Sequence, residues 1–112
     1  MIYLASPYTS PSSFVRRWRF LQACKAAAEL MRQGNVVFSP ICHSHPIALH
    51  GGIDPNDGFF WKKQDAGYIR ICRALVVLTL PGWEESVGVC HEIREARQLG
   101  KPVTHMVPGE KK

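Results

Sequence analysis

Leu75-Val76-Val77-Leu78-Thr79-Leu80, then Pro81-Gly82-Trp83-Glu84-Glu85, then Ser86-Val87-Gly88-Val89-Cys90-His91-Glu92, reads as a buried strand that turns almost directly into a helix. An unbroken apolar and β-branched run suits a strand covered on both faces, as in parallel sheets. Pro81-Gly82 ends it, and Ser86 is a good N-cap for the helix that follows. At such junctions open α/β sheets bind ligands, because loops at the carboxyl ends of parallel strands meet helix N-termini whose unpaired N–H groups favour anions. Glu92 puts an acid at this junction.

Working outward, Ile2 to Ala5 reads as a first strand, followed by a turn-rich loop from Ser6 to Ser13. A helix is expected from Ser12 or Ser13, with Phe14, Trp18, Leu21, Cys24, Ala28 and Met31 as its apolar stripe and Gly34 as its stop. Asn35 to Ser39 reads as a second strand. Pro40 to Asp57, with three prolines, three histidines and Gly51-Gly52, reads as an irregular active-site loop. Asp57 to Cys72 turns helical, with Phe60, Ala66 or Gly67, Ile69 and the stem of Arg73 along one side. The strand Ala74 to Leu80 follows, then the Ser86 helix to about Leu99 and a last strand from Pro102 to Met106. Alternating strands and helices argue for one α/β domain over 1–112: a doubly wound parallel sheet of four to five strands in three αβα layers, with right-handed crossovers.

At 112 residues the chain is long enough for one sheet and its covering helices but not for a separate substrate domain. The site must then be built from the loops of that sheet, completed if at all by a second subunit. No apolar segment is long enough to cross a membrane, and the first five residues are too short for a signal-peptide core, so a cytoplasmic protein is expected. Cys24, Cys42, Cys72 and Cys90 lack the spacing of a zinc ribbon or a redox motif and read as reduced thiols. The net charge of +5 suits a small phosphate-bearing ligand. Without a basic run interleaved with aromatics, nucleic acid is not the expected partner.

On the last helix Val89, Ile93, Ala96 and Leu99 or Gly100 form the core stripe, and Arg94, Glu95, Arg97 and Gln98 are expected to point outward. Glu92 falls at the flank of the buried face, either as a helix-stabilising acid or as a group reaching the cleft. Asp65 ends the stretch Phe60-Trp61-Lys62-Lys63-Gln64-Asp65 on the preceding helix, where it either pairs with a neighbouring lysine or faces the same cleft. Two carboxylates in different environments suit chemistry through an oxocarbenium-like sugar cation. Such a reaction needs one carboxylate ionised, which gives the rate a falling acidic limb. Ser86 and Gly88 serve equally as a helix start and as an anion cradle, and Tyr3 as core or as a hydrogen-bond donor to a carboxylate. The His43-Ser44-His45 pair lacks a third ligand, so no metal is expected there. Histidine contacts to a base or sugar fit better, with Trp61, Trp83 and Phe60 as further candidates to read the base. Cys90 and His91 point about 100° apart from each other on a helix and make no dyad.

Ile2-Tyr3-Leu4-Ala5-Ser6-Pro7-Tyr8, Val37-Phe38-Ser39-Pro40 with His43-Ser44-His45-Pro46, and Leu80-Pro81-Gly82-Trp83-Glu84-Glu85-Ser86 together resemble the nucleoside 2-deoxyribosyltransferase superfamily, which includes the 2′-deoxynucleoside 5′-monophosphate N-glycosidases. The likeness to a bacterial and phage branch of it covers nearly the whole chain. Its most specific motifs are the S-x-G-x-x-x-E helix start and Gln64-Asp65. The resemblance implies a flavodoxin-like sheet and cofactor-free cleavage of an N-glycosidic bond. It implies Glu92 as nucleophile, Asp65 as the acid that positions the sugar and assists the leaving base, and Tyr3 as the phenol that orients the glutamate. Ser86 and Gly88 would hold a 5′-phosphate, with Ser6 and Arg16 or Arg17 as helpers. Ser6-Pro7 departs from the glycine-bearing turn of related hydrolases, since proline offers a phosphate no N–H. The tail Val107 to Lys112 shows no counterpart to the region with which relatives complete a neighbour's pocket, so hydrolysis is expected ahead of base exchange. The expectation is a homodimeric or higher homo-oligomeric nucleotide N-glycosidase. The alternatives are a deoxyribosyltransferase and a non-catalytic nucleotide-binding module.

Overall fold

The computed structural model describes residues 1–109; Glu110, Lys111 and Lys112 of the tail considered above lie outside them. Four strands, β1 (Ile2–Ala5), β2 (Val37–Phe38), β3 (Ala74–Leu78) and β4 (Val103–Met106), form one all-parallel sheet in the order β2-β1-β3-β4. Helices α1 (Ser13–Arg32), α2 (Pro40–Gly51), α3 (Gly58–Ile71) and α4 (Val87–Gln98) make the connections, with a short 3₁₀ turn at Trp83–Glu85. This is the doubly wound, flavodoxin-like layout read from the sequence. From β1 the chain winds to one edge and from β3 to the other, so the topological switch point lies between β1 and β3, which pair Tyr3 with Leu75 and Ala5 with Val77.

Side-chain alternation along the strands divides the core into two layers. Ile2, Leu4, Val76, Leu78 and Met106 pack on one face with Ala26, Ala27 and Leu30 of α1. Tyr3, Ala5, Leu75 and Val77 pack on the other with Ile69, Cys72, Val89 and Ala96, under α3 and α4.

Three sequence expectations are corrected. The segment from Pro40 is a helix for twelve residues rather than an irregular loop. Pro40 occupies the first turn, where its missing N–H is not needed, and the Ser39 hydroxyl caps the helix by accepting from Cys42 N at 3.2 Å. Pro46 is tolerated inside it, and Gly52, at φ 69°, closes it in the left-handed conformation. Second, the α1 stripe Phe14, Trp18, Leu21 and Met31 is exposed, Phe14 at 79%. The buried face is Ala23, Ala26, Ala27 and Leu30, small residues that bring the helix close to the sheet. Third, Leu99 is exposed, Glu95 is half-buried, and Ile69 is the buried residue of α3, with Phe60 and Ala66 half-buried and Arg73 exposed.

Two contacts tie the connections together. Lys101 Nζ donates to the carbonyls of Ile69, at 2.8 Å, and of Arg70 and Cys72, so one ammonium satisfies the carboxyl end of α3. Cys24 and Cys42 bring their Sγ atoms to 3.3 Å between α1 and α2. All four cysteines are free thiols.

Candidate active site

The carboxyl ends of β1 and β3 open into a cavity of about 740 Å³. Ser6 and Thr9 line it after β1, Gly82 and Glu85 after β3, Pro40, Ile41 and Ser44 from α2, Trp61, Lys62 and Asp65 from α3, and Gly88, His91, Glu92 and Glu95 from α4. It therefore sits at the switch point, where the two winding directions part and leave the crevice uncovered.

Glu92 sits in the second turn of α4, which Ser86 starts by accepting from Val89 N at 3.2 Å. The Tyr3 hydroxyl, wholly buried on β1, donates to Glu92 Oε2. Burial pushes the Glu92 carboxyl up to about 8; the Tyr3 hydrogen bond opposes this, and the charges of Asp65 and Glu95 add to it. Burial alone lifts Asp65 to about 7. Asp65 makes no ion pair with Lys62 or Lys63 among the described residues. Tyr3 is raised well above its ordinary value, first by burial and then by the neighbouring charges of Glu92 and Asp65, so it stays a phenol and a donor. Two carboxyls in one cavity, both titrating near neutrality and coupled by charge, share protons as a pair. Such a pair holds one anion and one acid at the same pH, as nucleophilic displacement with proton transfer to a leaving group requires.

Another lining residue, Ser6, is 4% exposed, and its Oγ has no hydrogen-bond partner among the described residues. A buried hydroxyl left this way costs about 1–3 kcal/mol, so its position on the wall of a ligand-sized cavity points to a polar ligand group. Gly88 stands over the first turn of α4; a Cβ there would meet only Ser86 Oγ, at 3.9 Å, so the fold itself does not require glycine. Its bareness keeps the helix N-terminus open to a ligand.

Of the residues singled out in the sequence, Tyr3, Ser6, Asp65, Ser86, Gly88 and Glu92 come together here. Arg16, Arg17 and His45 line a second, more open cavity between α1 and α2 instead. There His45 Nδ1 meets the Tyr8 hydroxyl at 2.6 Å and its ring stacks on Phe20. The helicity of α2 carries His45 away, because it turns the loop expected to fold over the site into a rigid rod. His43 is exposed beside Phe38 and Tyr68, and Trp83 packs half-buried near His105, each outside the cavity lining. Of the base-reading candidates, Trp61 lines the cavity and Phe60 does not.

Among the lining residues that sequence reasoning missed are His91, Glu95 and Arg19. His91 and Glu95 lie one turn apart on the α4 face that Glu92 shares, and helical spacing from Gly88 was the available signal. Arg19 reaches the cavity from α1 and donates to Thr9 O at 3.0 Å and Pro81 O at 3.4 Å, bridging the loops after β1 and β3. Gly82, at φ +90°, passes so close that a Cβ would lie 3.1 Å from Arg19 Nη2. No local pattern announces that strap.

The sequence profile of a domain of unknown function, DUF1937, matches residues 1–107. Among solved structures, a 2-deoxyribosyltransferase from Bacillus psychrosaccharolyticus is similar at a TM-score of 0.67 and 27% identity, over 97% of this chain and 74% of that one. No curated protein sequence matches. The likeness agrees with the nucleoside 2-deoxyribosyltransferase-like superfamily.

Proposed function

Since this chain belongs to the DUF1937 family and has the fold of a nucleoside-processing enzyme, we propose that it hydrolyses the N-glycosidic bond of a nucleoside 5′-monophosphate, releasing base and sugar 5-phosphate. The observation that carries this reading is the Tyr3-held carboxyl of Glu92 in one cavity with Asp65. Ionised Glu92 attacks the anomeric carbon while the C–N bond breaks, its electron pair leaving with the base and a proton coming from Asp65. Water then opens the glycosyl ester, returning the carboxylate to Glu92 and a proton to Asp65. Both groups belong to the chain, and the reaction needs no cofactor. The unpartnered Ser6 hydroxyl and the open α4 N-terminus favour a phosphate at the 5′ end.

A second reading, transfer of the sugar to another base, is favoured by the similarity to the B. psychrosaccharolyticus 2-deoxyribosyltransferase. The two share the glycosyl ester and differ in what resolves it. The enzyme is read as a cytoplasmic homodimer, a reading supported by its free thiols and by the exposed apolar row Phe14, Trp18 and Leu21 of α1.

The test is chromatographic detection of free base from ribo- and deoxyribonucleoside 5′-monophosphates, with and without a second base, for the wild type and Glu92→Ala. Base release by the wild type alone supports hydrolysis, and a new nucleotide formed only with added base supports transfer. Ligand binding without either product would leave a nucleotide-binding module.

A further inference from the structure

His91 and Glu95 both face the cavity from α4, and the displacement written above uses neither. His91 Nε2 lies 3.1 Å from Glu95 Oε2, with the two side chains 28% and 21% exposed. Neither side chain makes another hydrogen bond among the described residues, so the second Glu95 oxygen and His91 Nδ1 keep their capacity for a ligand.

The geometry of displacement fixes what lies beside them. A nucleophile reaches the anomeric carbon from the side opposite the leaving base. In a β-nucleoside the base projects from one face of the sugar, and the 2′- and 3′-hydroxyls from the other. Glu92 must therefore approach from the hydroxyl-bearing face, and its cavity-facing neighbours on α4 stand under that face. Asp65 approaches from α3, another wall of the cavity. With the 5′-phosphate at Ser86 and Gly88 and the anomeric carbon at Glu92, the 2′- and 3′-hydroxyls fall toward His91 and Glu95.

Resting on the Glu92 reading, we propose that His91 and Glu95 together bind the 2′- and 3′-hydroxyls, and that the substrate is a ribonucleoside 5′-monophosphate. Glu95 accepts from one hydroxyl, and His91 Nδ1, whose ring Glu95 orients, accepts from the other. A site built to bond a hydroxyl loses binding when the analogue lacks it, because its own polar groups go unpaired.

The test compares kcat/KM for base release from a ribonucleoside 5′-monophosphate and its 2′-deoxy counterpart, using wild type, His91→Ala, Glu95→Ala and Glu95→Gln. Deoxynucleotides are intrinsically more labile, so the quantity read is the ribo-to-deoxyribo ratio relative to wild type. Each alanine variant should lower that ratio about tenfold, while Glu95→Gln, which keeps an acceptor, retains most of it. Equal losses on both sugars, or an unmoved ratio, would overturn the assignment. If wild type releases no base at all, the Glu92 reading fails. The sugar assignment is then decided by thermal shift with ribose 5-phosphate and 2-deoxyribose 5-phosphate: a ribose-specific shift lost in Glu95→Ala upholds it, and equal shifts overturn it.

Discussion

The phenol of Tyr3, in the first strand, donates its hydrogen bond to the carboxylate of Glu92, on the last helix, 89 positions further along the chain. The bond favours the ionised form of an acid that burial would otherwise keep protonated.

Tyr3→Phe should preserve the packing of the strand and remove that support. The Glu92 carboxyl then titrates higher still, so less nucleophile is present at neutral pH. We expect kcat/KM to fall about tenfold near pH 6.5, with the ratio to wild type returning toward one above about pH 9. A uniform loss at every pH would place the phenol in another role.

The pH profile of the wild type follows from the same pair. With Asp65 raised to about 7 and Glu92 to about 8, the singly protonated pair is populated in a narrow window, and the productive form, Glu92 ionised and Asp65 protonated, is the minor one of its two arrangements in the ligand-free protein. The kcat/KM profile should be a bell centred between those values, rising as the first proton leaves and falling as the second does.

Stability should move the opposite way. A carboxyl raised from 4.5 to about 8 on folding contributes stability that is fully present below its unfolded value and is lost as pH rises through its folded one. Glu92→Gln removes this dependence, so its Tm relative to wild type should climb between about pH 5 and pH 9. The gain at the upper end should be about 1–3 kcal/mol. A Tm difference constant with pH would contradict the assignment.

Ser6→Ala tests the unpartnered hydroxyl. Removing a buried, unsatisfied polar atom should stabilise the ligand-free protein by about 1 kcal/mol. The same change should reduce the thermal shift produced by a nucleoside 5′-monophosphate. Lower stability without ligand would mean that the hydroxyl is satisfied within the fold.

Lys101→Met should cost about 1–3 kcal/mol, because three carbonyls at the carboxyl end of α3 lose a charged donor. Chemical denaturation measures this directly. Lys101 does not itself line the cavity, and of its three acceptors only Ile69 does, so kcat at a temperature where the variant is folded should stay near wild type.

The parallel sheet was legible because β3 is an unbroken apolar run and the helices α1 and α4 carry readable start signals in Ser12 and Ser86, both of which cap. The position of Glu92 over the strand ends was legible for the same reason, being fixed by helical spacing from that start. What escaped depended on context. Pro40 and Pro46 read as breakers, yet one stands in a first turn and the other inside a helix held between strong caps. Periodicity picked out the large residues of α1, whereas close packing on the sheet selected its alanines. Arg19 answers to carbonyls on two loops far apart in sequence, and no window contains both.

The pairing of Tyr3 with Glu92 also bears on how the protein is made. The phenol leaves the ribosome well before its acid, which follows only after β2 and β3. Both residues hold their places only when β1 lies beside β3, the longest-range pairing that this strand makes. A nascent or misfolded chain therefore cannot acquire a weak version of the site, because closing that loop and building the hydrophobic layer are one event. Base release would then report the fraction of molecules that have completed folding.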